Sequence, residues 1–329
     1  MIRLAVIAGL DPATYQRHYV HAEDRTWVEK NCYVDIWLEV VHALGADPMA
    51  MLPFVVALDF EGDQWTFFKP PHDELRDLYG IDVQELNVWR PLLDHALEHL
   101  AHGKMISTEA DAYWLPDTSG TDYRTQHTKT TIVIESIDLD AERLGYFHNA
   151  GYHELGSEDF RRVFRTDVPS DPAFMPLFAE FIRSDRLVRR PAGELADLSV
   201  GLLRKHLARR PGRNPVDAFR ERFLEETESI QRAGIGYYHA WAFATTRQLG
   251  AAFELAALHA RWLADAGYPG FEAVEEPFRR ISTEAKTFIL KAARVATARR
   301  PLDFSAHFAV LSESWRLGMD AADRAARLG

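Results

Sequence analysis

The chain has 329 residues, enough for two average domains or one unusually large domain. Hydrophobic residues make up 47% and charged residues 26%, values typical of folded globular proteins, which argues against disorder. The net charge of −11 argues against general nucleic-acid binding, because no overall basic excess is available to neutralise phosphates. The single cysteine, Cys32, excludes internal disulfides, multi-cysteine zinc sites and cysteine-ligated iron–sulfur clusters.

No apolar run reaches the roughly 20 residues that a membrane-spanning helix needs, and the apolar stretch 2–10 is too short for a secretory signal. We therefore expect a cytoplasmic protein with no membrane partner. Residues 1–160 contain 11 basic and 28 acidic residues, so the basic residues concentrate in the second half. This division indicates two modules, the second of which could attract an acidic partner. An incidental drift in surface charge explains it equally well.

Helical and strand patterns alternate in residues 1–168. Apolar residues at helical spacing predict three helices, over 31–44, 71–79 and 88–102. Turn residues at 61–63 predict a hairpin between 54–60 and 64–68. Runs rich in β-branched and aromatic residues predict strands over 105–110, 128–137 and 144–148. Together these elements predict an α+β domain that begins with a helix and continues into a mostly antiparallel sheet.

Residues 169–329 predict a second domain, an all-α helical bundle. Its six predicted helices span 173–186, 192–209, 215–233, 237–266, 271–299 and 304–327. Pro215 after Asn214 is typical of a capped helix start, and Gly234 and Gly267 stand where helices end.

Cys32 is the first candidate for chemistry. It lies at the predicted start of the helix over 31–44, where the helix dipole and the exposed backbone N–H groups lower a thiol's pKa. The same N–H groups could stabilise an oxyanion that forms beside the sulfur. Taken alone, however, a lone cysteine is more often a small buried hydrophobic residue.

A thiolate nucleophile needs an imidazole base and a residue that orients it. His127 follows a polar loop and precedes the predicted strand over 128–137, so its ring is expected at the mouth of that strand. Asn149 lies one hairpin later and could accept the ring N–H of His127. His148 and Asp117 are rival orienting residues. A helix followed by a sheet, in the order Cys, His, Asn, is the order of papain-like enzymes.

Other kinds of site have weaker support in the sequence. His95, His99 and His102 have helical spacing that could form a metal-binding face. A solvated helix face explains them better, so we expect no metal. The chain contains no glycine-rich phosphate-binding loop and no Gly-x-Ser-x-Gly elbow.

The segment 103–117, with His127 and the strand after it, resembles the N-terminal domain of the butirosin-type acyltransferases. These papain-like proteins move an acyl group from a carrier-protein thioester to an aminoglycoside amine. The matching residues are Cys32, Asp111, the run Tyr113-Trp114-Leu115-Pro116, and His127. The resemblance covers about residues 25–155. Its third catalytic member is usually an aspartate, whereas the nearest candidate in this chain is Asn149.

This resemblance implies a papain-like (Cys-His) N-terminal domain over 1–168, with Cys32 as the nucleophile and His127 as its base. It also implies that the substrate site is lined by Asp111, Tyr113 and Trp114.

Over nearly its full length the chain is similar to a family of uncharacterised bacterial proteins that are often encoded beside amino acid:carrier-protein ligases. The matching segments are 127–132, 146–152 and 246–250. This similarity implies that the acyl donor is an amino acid on the phosphopantetheine arm of a small carrier protein, with the ligase as a functional partner. We expect no other cofactor to be bound.

In the helical half, Arg247 and Gln248 could contact the substrate. Arg247 lies two helical turns from Glu254, and a structural pair between these two residues is the simpler explanation. A basic run could be a solvated face or could dock the acidic carrier protein. It contains Arg204, Lys205, Arg209 and Arg210.

The sequence therefore predicts a cysteine-dependent acyltransferase that passes an aminoacyl group from the carrier thioester, through Cys32, to an amine or hydroxyl acceptor. Two alternatives stay open at this point. The first is a thioesterase or amidase (peptidase-like) of the same fold, and the second is a non-catalytic module that binds the carrier protein.

Overall fold

The computed structural model describes residues 3–169, 176–298 and 302–328. The chain divides into two compact units that interleave along the sequence. Unit 1 consists of Met1–Tyr19, Cys32–Pro48 and His72–Arg189. Unit 2 consists of Val20–Asn31, Met49–Pro71 and Arg190–Gly329. The fold mixes helix and sheet, with an antiparallel sheet in unit 1 and a helical C-terminal region, as the sequence predicts.

The strands in chain order are β1 (Arg3–Ala5), β2 (Phe60–Glu61), β3 (Gln64–Trp65), β4 (Asp82–Glu85), β5 (Lys104–Asp111), β6 (Lys129–Asp138), β7 (Arg143–His148), β8 (Gly151–Gly156) and β9 (Ala179–Arg183). The α-helices are α1 (Cys32–Ala43), α2 (His72–Tyr79), α3 (Leu92–Ala101), α4 (Ser157–Phe164), α5 (Ala192–Leu207), α6 (Pro215–Ala233), α7 (Ile235–Ala244), α8 (Thr246–Asp265), α9 (Glu272–Ala292) and α10 (Ser305–Leu328). None of these described helices is both long and apolar enough to cross a membrane.

Unit 1 is built on an antiparallel sheet of seven strands in the order β4-β9-β5-β6-β7-β8, with β1 paired to the far end of β6. The long strands β5 and β6 pair from Ile106–Ile134 to Asp111–Lys129. Isoleucines on these strands pack with Ala96 and Leu100 of α3 and with aromatic residues of α4. Helix α1 packs against β6, β7 and β8. Its first residue, Cys32, therefore lies on a helix that rests on the central strands.

The predicted strands over 105–110, 128–137 and 144–148 are confirmed as β5, β6 and β7. The predicted helix over 173–186 is wrong, because residues 179–183 form β9, which inserts between β4 and β5. Residues 173–175 lie outside the described part of the chain. The strand pairing of β9 joins it to residues about 70 to 100 positions away, and such long-range pairing overrides a local helical pattern.

The predicted strand over 54–60 is also wrong in its first half. Residues Pro48–Ala57 form a 3-10 helix, and the hairpin shrinks to the two-residue strands β2 and β3. Residues 48–56 are buried without interruption, whereas a half-exposed strand would alternate between buried and exposed positions.

Unit 2 contains the helices α5 to α10, and α9 packs against both α8 and α10. Its core holds a group of aromatic rings whose centroids lie 5.0–6.1 Å apart: Phe219, Phe223, Phe288 and Phe308. The single helix predicted over 237–266 is divided at Thr245 into α7 and α8. The predicted start at Pro215 is confirmed, because the Asn214 side chain accepts a hydrogen bond from the Val216 N–H.

Candidate functional site

Cys32 is the first residue of α1, and its side chain is half-buried. Burial raises the pKa of the thiol, and the negative charge of Asp35 raises it further. A hydrogen bond with Thr130 and the positive charge of Lys129 act in the opposite direction but do not outweigh burial. At neutral pH the thiol is therefore protonated, and it can become a nucleophile only if a neighbouring base takes its proton.

The Thr130 hydroxyl connects this thiol to a histidine. Its Oγ1 lies 2.8 Å from Nε2 of His148, the last residue of β7. Both Thr130 and His148 are buried. Water therefore has little access to compete for the bond between the hydroxyl and the imidazole.

Asp117 holds the other side of the His148 ring. Its Oδ2 accepts a hydrogen bond from His148 Nδ1 at 2.5 Å, and its Oδ1 accepts one from the Tyr146 hydroxyl at 2.5 Å. Burial opposes ionisation of this carboxyl, but the bonds from His148 and Tyr146 and the nearby charge of His153 lower its pKa overall. Asp117 is therefore ionised and fixes the proton of His148 on Nδ1.

With the Nδ1 proton directed at Asp117, Nε2 can accept a hydrogen bond from the Thr130 hydroxyl. The hydroxyl carries one proton, so it donates either to Nε2 or to the Cys32 sulfur, and proton transfer from the thiol requires that it donate to Nε2. The hydroxyl of Thr130, the imidazole of His148 and the carboxylate of Asp117 form a hydrogen-bonded chain, and the Thr130 hydroxyl also lowers the pKa of the Cys32 thiol. We call these four groups the relay. A nucleophile, a base and an acid that orients the base are the parts of a catalytic triad. In the relay, the Thr130 hydroxyl lies between the nucleophile and the base.

His127 lies elsewhere at the same end of β6. Its Nδ1 is 2.6 Å from Asp111 Oδ2, and its ring stacks on Tyr113 at a centroid distance of 4.4 Å. The side chain is 70% exposed. The structure thus brings together three of the residues predicted from sequence, His127, Asp111 and Tyr113. The described contacts of Cys32 lead instead to Thr130 and His148.

Trp114 and Asn149 have contacts of other kinds. The Trp114 ring lies 4.7 Å from the Tyr113 ring, and the Arg124 guanidinium stands over it at 4.4 Å. Asn149 occupies the two-residue turn between β7 and β8, where its φ of 45° is in the left-handed region. Asparagine tolerates this region better than most residues, so the turn alone accounts for an asparagine at this position.

The predicted residues of the helical region contact backbone within unit 2. The Arg247 guanidinium donates to the carbonyls of Lys30 at 2.9 Å and Glu29 at 3.1 Å. Gln248 reaches the Phe243 carbonyl at 3.5 Å. Of the basic run, Arg204, Lys205 and Arg209 are exposed, and Arg204 also donates to the Ala326 carbonyl at 2.6 Å.

The described residues contain no group of three or more His, Cys, Asp or Glu side chains placed to hold a metal ion. His95 and His99 stack on each other with centroids 6.4 Å apart, and the ring of His95 accepts a hydrogen bond from the Trp89 N–H. The spacing of these histidines thus produces a stacked pair on α3.

Thr130 and Tyr146 are absent from the residues predicted from sequence, and His148 and Asp117 enter only as rival orienting residues. Thr130 lies three positions after His127, in the segment that carries the resemblance to the bacterial family. The signal available in the sequence was that β7 ends in a histidine and that the loop before β6 contains an acid. The pairing of these two side chains depends on strand register, which spacing alone does not give.

Comparison with protein families gives two matches. A model of the DUF1839 N-terminal domain matches residues 16–184, and a model of the DUF1839 C-terminal domain matches residues 192–324. Among curated proteins, none matches the chain. Because the two family models together cover most of its length, the chain belongs to the DUF1839 family.

Proposed function

We propose that this protein is a cysteine-dependent acyltransferase in which Cys32 is the nucleophile and His148 the base. The observation that carries the proposal is the relay, in which a buried hydroxyl links a half-buried thiol to a histidine held by an ionised aspartate. A thiol with a raised pKa needs such a base to react at neutral pH. Cys32 is the first residue of α1, and the N-terminal end of a helix favours negative charge.

In the first step the thiol proton passes to Thr130 Oγ1 while the hydroxyl proton passes to His148 Nε2. The hydroxyl is regenerated, Cys32 becomes a thiolate, and His148 becomes an imidazolium that Asp117 stabilises through Nδ1. The thiolate then attacks the carbonyl carbon of a thioester, and collapse of the tetrahedral intermediate expels the donor thiolate, which takes the proton from His148. The product is an acyl-Cys32, which an amine or hydroxyl acceptor attacks in a second, similar step.

We further propose that unit 1 is papain-like, supported by a helix that begins at a cysteine and packs on antiparallel strands. The order of the proposed residues departs from the papain order, because Asp117 precedes His148 in the chain. The exposed pair of His127 and Asp111, with Tyr113 stacked on the imidazole, is then available for substrate contacts rather than for activation of the thiol.

The donor we propose is an aminoacyl thioester on the phosphopantetheine arm of a small acidic carrier protein, with an amino acid:carrier-protein ligase as the enzyme that loads it. Exchange of one thioester for another is nearly isoenergetic, so a site with one catalytic base, His148, is sufficient for it. The exposed side chains of Arg204, Lys205 and Arg209 on and after α5 offer positive charge for such a carrier, and Arg210 completes this basic run.

Intact-protein mass spectrometry tests the proposal. The protein is mixed with a glycyl- or alanyl-loaded carrier protein, and we expect a mass gain of one aminoacyl group. This gain should vanish in Cys32→Ala and fall strongly in His148→Asn, because both lose a member of the relay. The matched control is His102→Asn, an exposed histidine directly after α3, which should still form the acyl-enzyme.

Three other outcomes would contradict parts of the proposal. An adduct that persists in Cys32→Ala and maps to Thr130 would make the threonine the nucleophile, since its hydroxyl contacts His148 directly. Free amino acid released at an unchanged rate with or without an added amine would identify a hydrolase. A loaded carrier that binds in a salt-sensitive manner and never acylates Cys32 would identify a binding module.

A further inference from the structure

The chain segment immediately before Cys32 is held by α8 within unit 2. Glu254 accepts hydrogen bonds from the N–H groups of Thr26 at 2.8 Å and Trp27 at 3.0 Å. Its Oε2 also lies 3.3 Å from the ammonium of Lys30, a lysine with no exposed surface. One carboxylate thereby fixes both ends of the segment 26–30.

Lys30 is buried as a charged group that the surrounding structure satisfies. Its Nζ donates to the carbonyl of Val20 at 2.9 Å and to the carbonyl of Trp27. A buried ammonium is costly unless it is paired and hydrogen-bonded, and here both conditions are met. If the segment separated from α8, the Lys30 ammonium and the Glu254 carboxylate would therefore lose each other as ion-pair partners.

Arg247 holds the end of the segment nearest to Cys32. Its guanidinium donates through Nη1 to the Lys30 carbonyl and through Nη2 to the Glu29 carbonyl, so two successive peptide groups are fixed by one planar fork. Asn31, which follows, donates through Nδ2 to the Phe68 carbonyl at 2.9 Å. Every residue from Glu29 to Asn31 is thus anchored in unit 2.

Gly250 allows α8 to approach the Trp27 ring of the segment closely. It lies one turn after Arg247 on α8, and a Cβ at this position would come within 2.5 Å of the Trp27 indole ring. The ammonium of Lys286 stands over the same ring at 4.4 Å. Arg247, Gly250 and Glu254, at spacings of three and four, therefore present one face of α8 to the segment.

We propose that Arg247 and Glu254 are positioning residues for Cys32, and that α8 thereby controls the reactivity of the thiol through the peptide chain. Asn31 is joined to Cys32 by a peptide bond, so the anchors on residues 29–31 fix the backbone at the point where α1 begins. Because the relay requires Cys32 to meet Thr130, a free backbone at this point would let the first turn of α1 fray and the thiol leave the relay. This inference rests on the proposed role of Cys32.

The test uses the fact that Cys32 is the single cysteine of the chain. The alkylation rate by iodoacetamide is measured by mass spectrometry for the full-length wild type, Arg247→Ala and Arg247→Lys. We expect alkylation to rise about tenfold in Arg247→Ala, because two charge-assisted hydrogen bonds that restrain the backbone are lost. Arg247→Lys should give an intermediate rate, because an ammonium can replace only part of the fork. The matched control is Arg261→Ala, which removes an exposed arginine of the same helix that pairs with Asp265 and Glu275.

Aminoacyl transfer is measured on the same proteins, with thermal unfolding to confirm that they fold. For Arg247→Ala we expect kcat to fall while KM stays near the wild-type value, so that the thiol is more accessible yet less effective. If Arg247 only stabilised the fold, both Arg247 variants would lose activity and thermal stability together. The alkylation rate would then not rise while kcat falls. Wild-type alkylation in Arg247→Ala, or raised alkylation with unchanged kcat, would overturn the inference. If the wild type forms no acyl-enzyme, the proposed function fails, whereas the alkylation rates still decide whether Arg247 restrains Cys32.

Discussion

Thr130 is the residue on which the proposed chemistry of Cys32 depends. Its hydroxyl contacts the His148 imidazole and lowers the pKa of the Cys32 thiol, and burial of Thr130 keeps water from replacing it. Burial raises the pKa of the thiol, so little thiolate is present before the substrate binds. A base that takes the proton during the attack on the substrate removes this disadvantage, because the thiolate then forms only at that moment.

We therefore expect Thr130→Val to slow acyl-enzyme formation by roughly 100-fold, the lower end of the contribution of general base catalysis. Valine keeps the shape and the β-branching of threonine but cannot carry a proton. Thr130→Ser keeps the hydroxyl and is the matched control, with a rate within a few-fold of wild type. The measurement is the single-turnover rate of acylation from a loaded carrier. A wild-type rate in Thr130→Val would mean that the thiol proton takes another route.

Residue types and the bounds of several helices can be predicted from the sequence, but side-chain partners cannot. The sequence predicts Cys32 at the start of a helix, and it is the first residue of α1. His127 and His148 both lie near strand ends, and the sequence favours His127 as the base and leaves His148 as a rival orienting residue. The difference arises from Asp117, which pairs with His148, and Asp111, which pairs with His127. Which acid meets which histidine follows from the register of β5, β6 and β7, a long-range property of the sheet.

At the scale of elements, the hairpin between β7 and β8 offers a test of the role of Asn149. His148 pairs with Gly151 across the turn, and Asn149 has a positive φ. If Asn149 is needed only because the turn requires a positive φ, Asn149→Gly keeps the wild-type rate of acylation, because glycine adopts this conformation freely. Asn149→Ala should cost about 1 kcal/mol of unfolding free energy. Chemical denaturation and acylation rates check both. Loss of activity in a stable Asn149→Gly would restore the asparagine as an orienting residue.

A second element-scale prediction concerns the joint of α5, α8 and the 3-10 helix Pro48–Ala57. Ser199 of α5 donates to the Ala50 carbonyl at 2.9 Å and lies 2.8 Å from Nε2 of His259 on α8. Burial lowers the pKa of His259 to about 3. Between pH 6.5 and 3 the unfolded chain binds a proton at this histidine and the folded chain does not. The contribution of His259 to stability is therefore present above pH 6.5 and is lost as the pH falls.

Urea unfolding at pH 6.5 and pH 4.5 measures this effect. Wild type should lose about 2 kcal/mol more than His259→Gln over this interval, since each pH unit of differential protonation is worth about 1.4 kcal/mol. Glutamine keeps a hydrogen-bond donor for Ser199 but has no titratable group, which makes it the matched control for the general effect of acid. Equal losses in the two proteins would show that His259 takes a proton in the folded state.

At the scale of the whole molecule, the two units do not correspond to two consecutive halves of the chain. Residues 49–71, far from the helices in sequence, belong to unit 2. Phe60 and Trp65 of the short hairpin lie with ring centroids 5.5 and 5.7 Å from Phe219 of α6. The helical periodicity of residues 190–329 predicts most of the helices of unit 2. It gives no sign that these helices depend on a segment that precedes them by more than 100 residues, because periodicity reports which face is apolar and not what covers it.

This interleaving predicts that the fragment 190–329 does not form a rigid core by itself. It lacks the residues of 49–71, among which Leu52, Val55 and Trp65 are almost completely buried. Each such side chain contributes about 1.5–3 kcal/mol, so a handful contributes about as much as the net stability of a domain, about 5–15 kcal/mol. We expect the fragment to keep helical far-ultraviolet circular dichroism but to lose the near-ultraviolet signal of packed aromatic rings. Addition of a synthetic peptide of residues 49–71 should restore part of that signal, whereas a peptide of the same composition in scrambled order should not. A fragment that unfolds cooperatively near the midpoint of the full chain would mean that the helices complete their core without the segment.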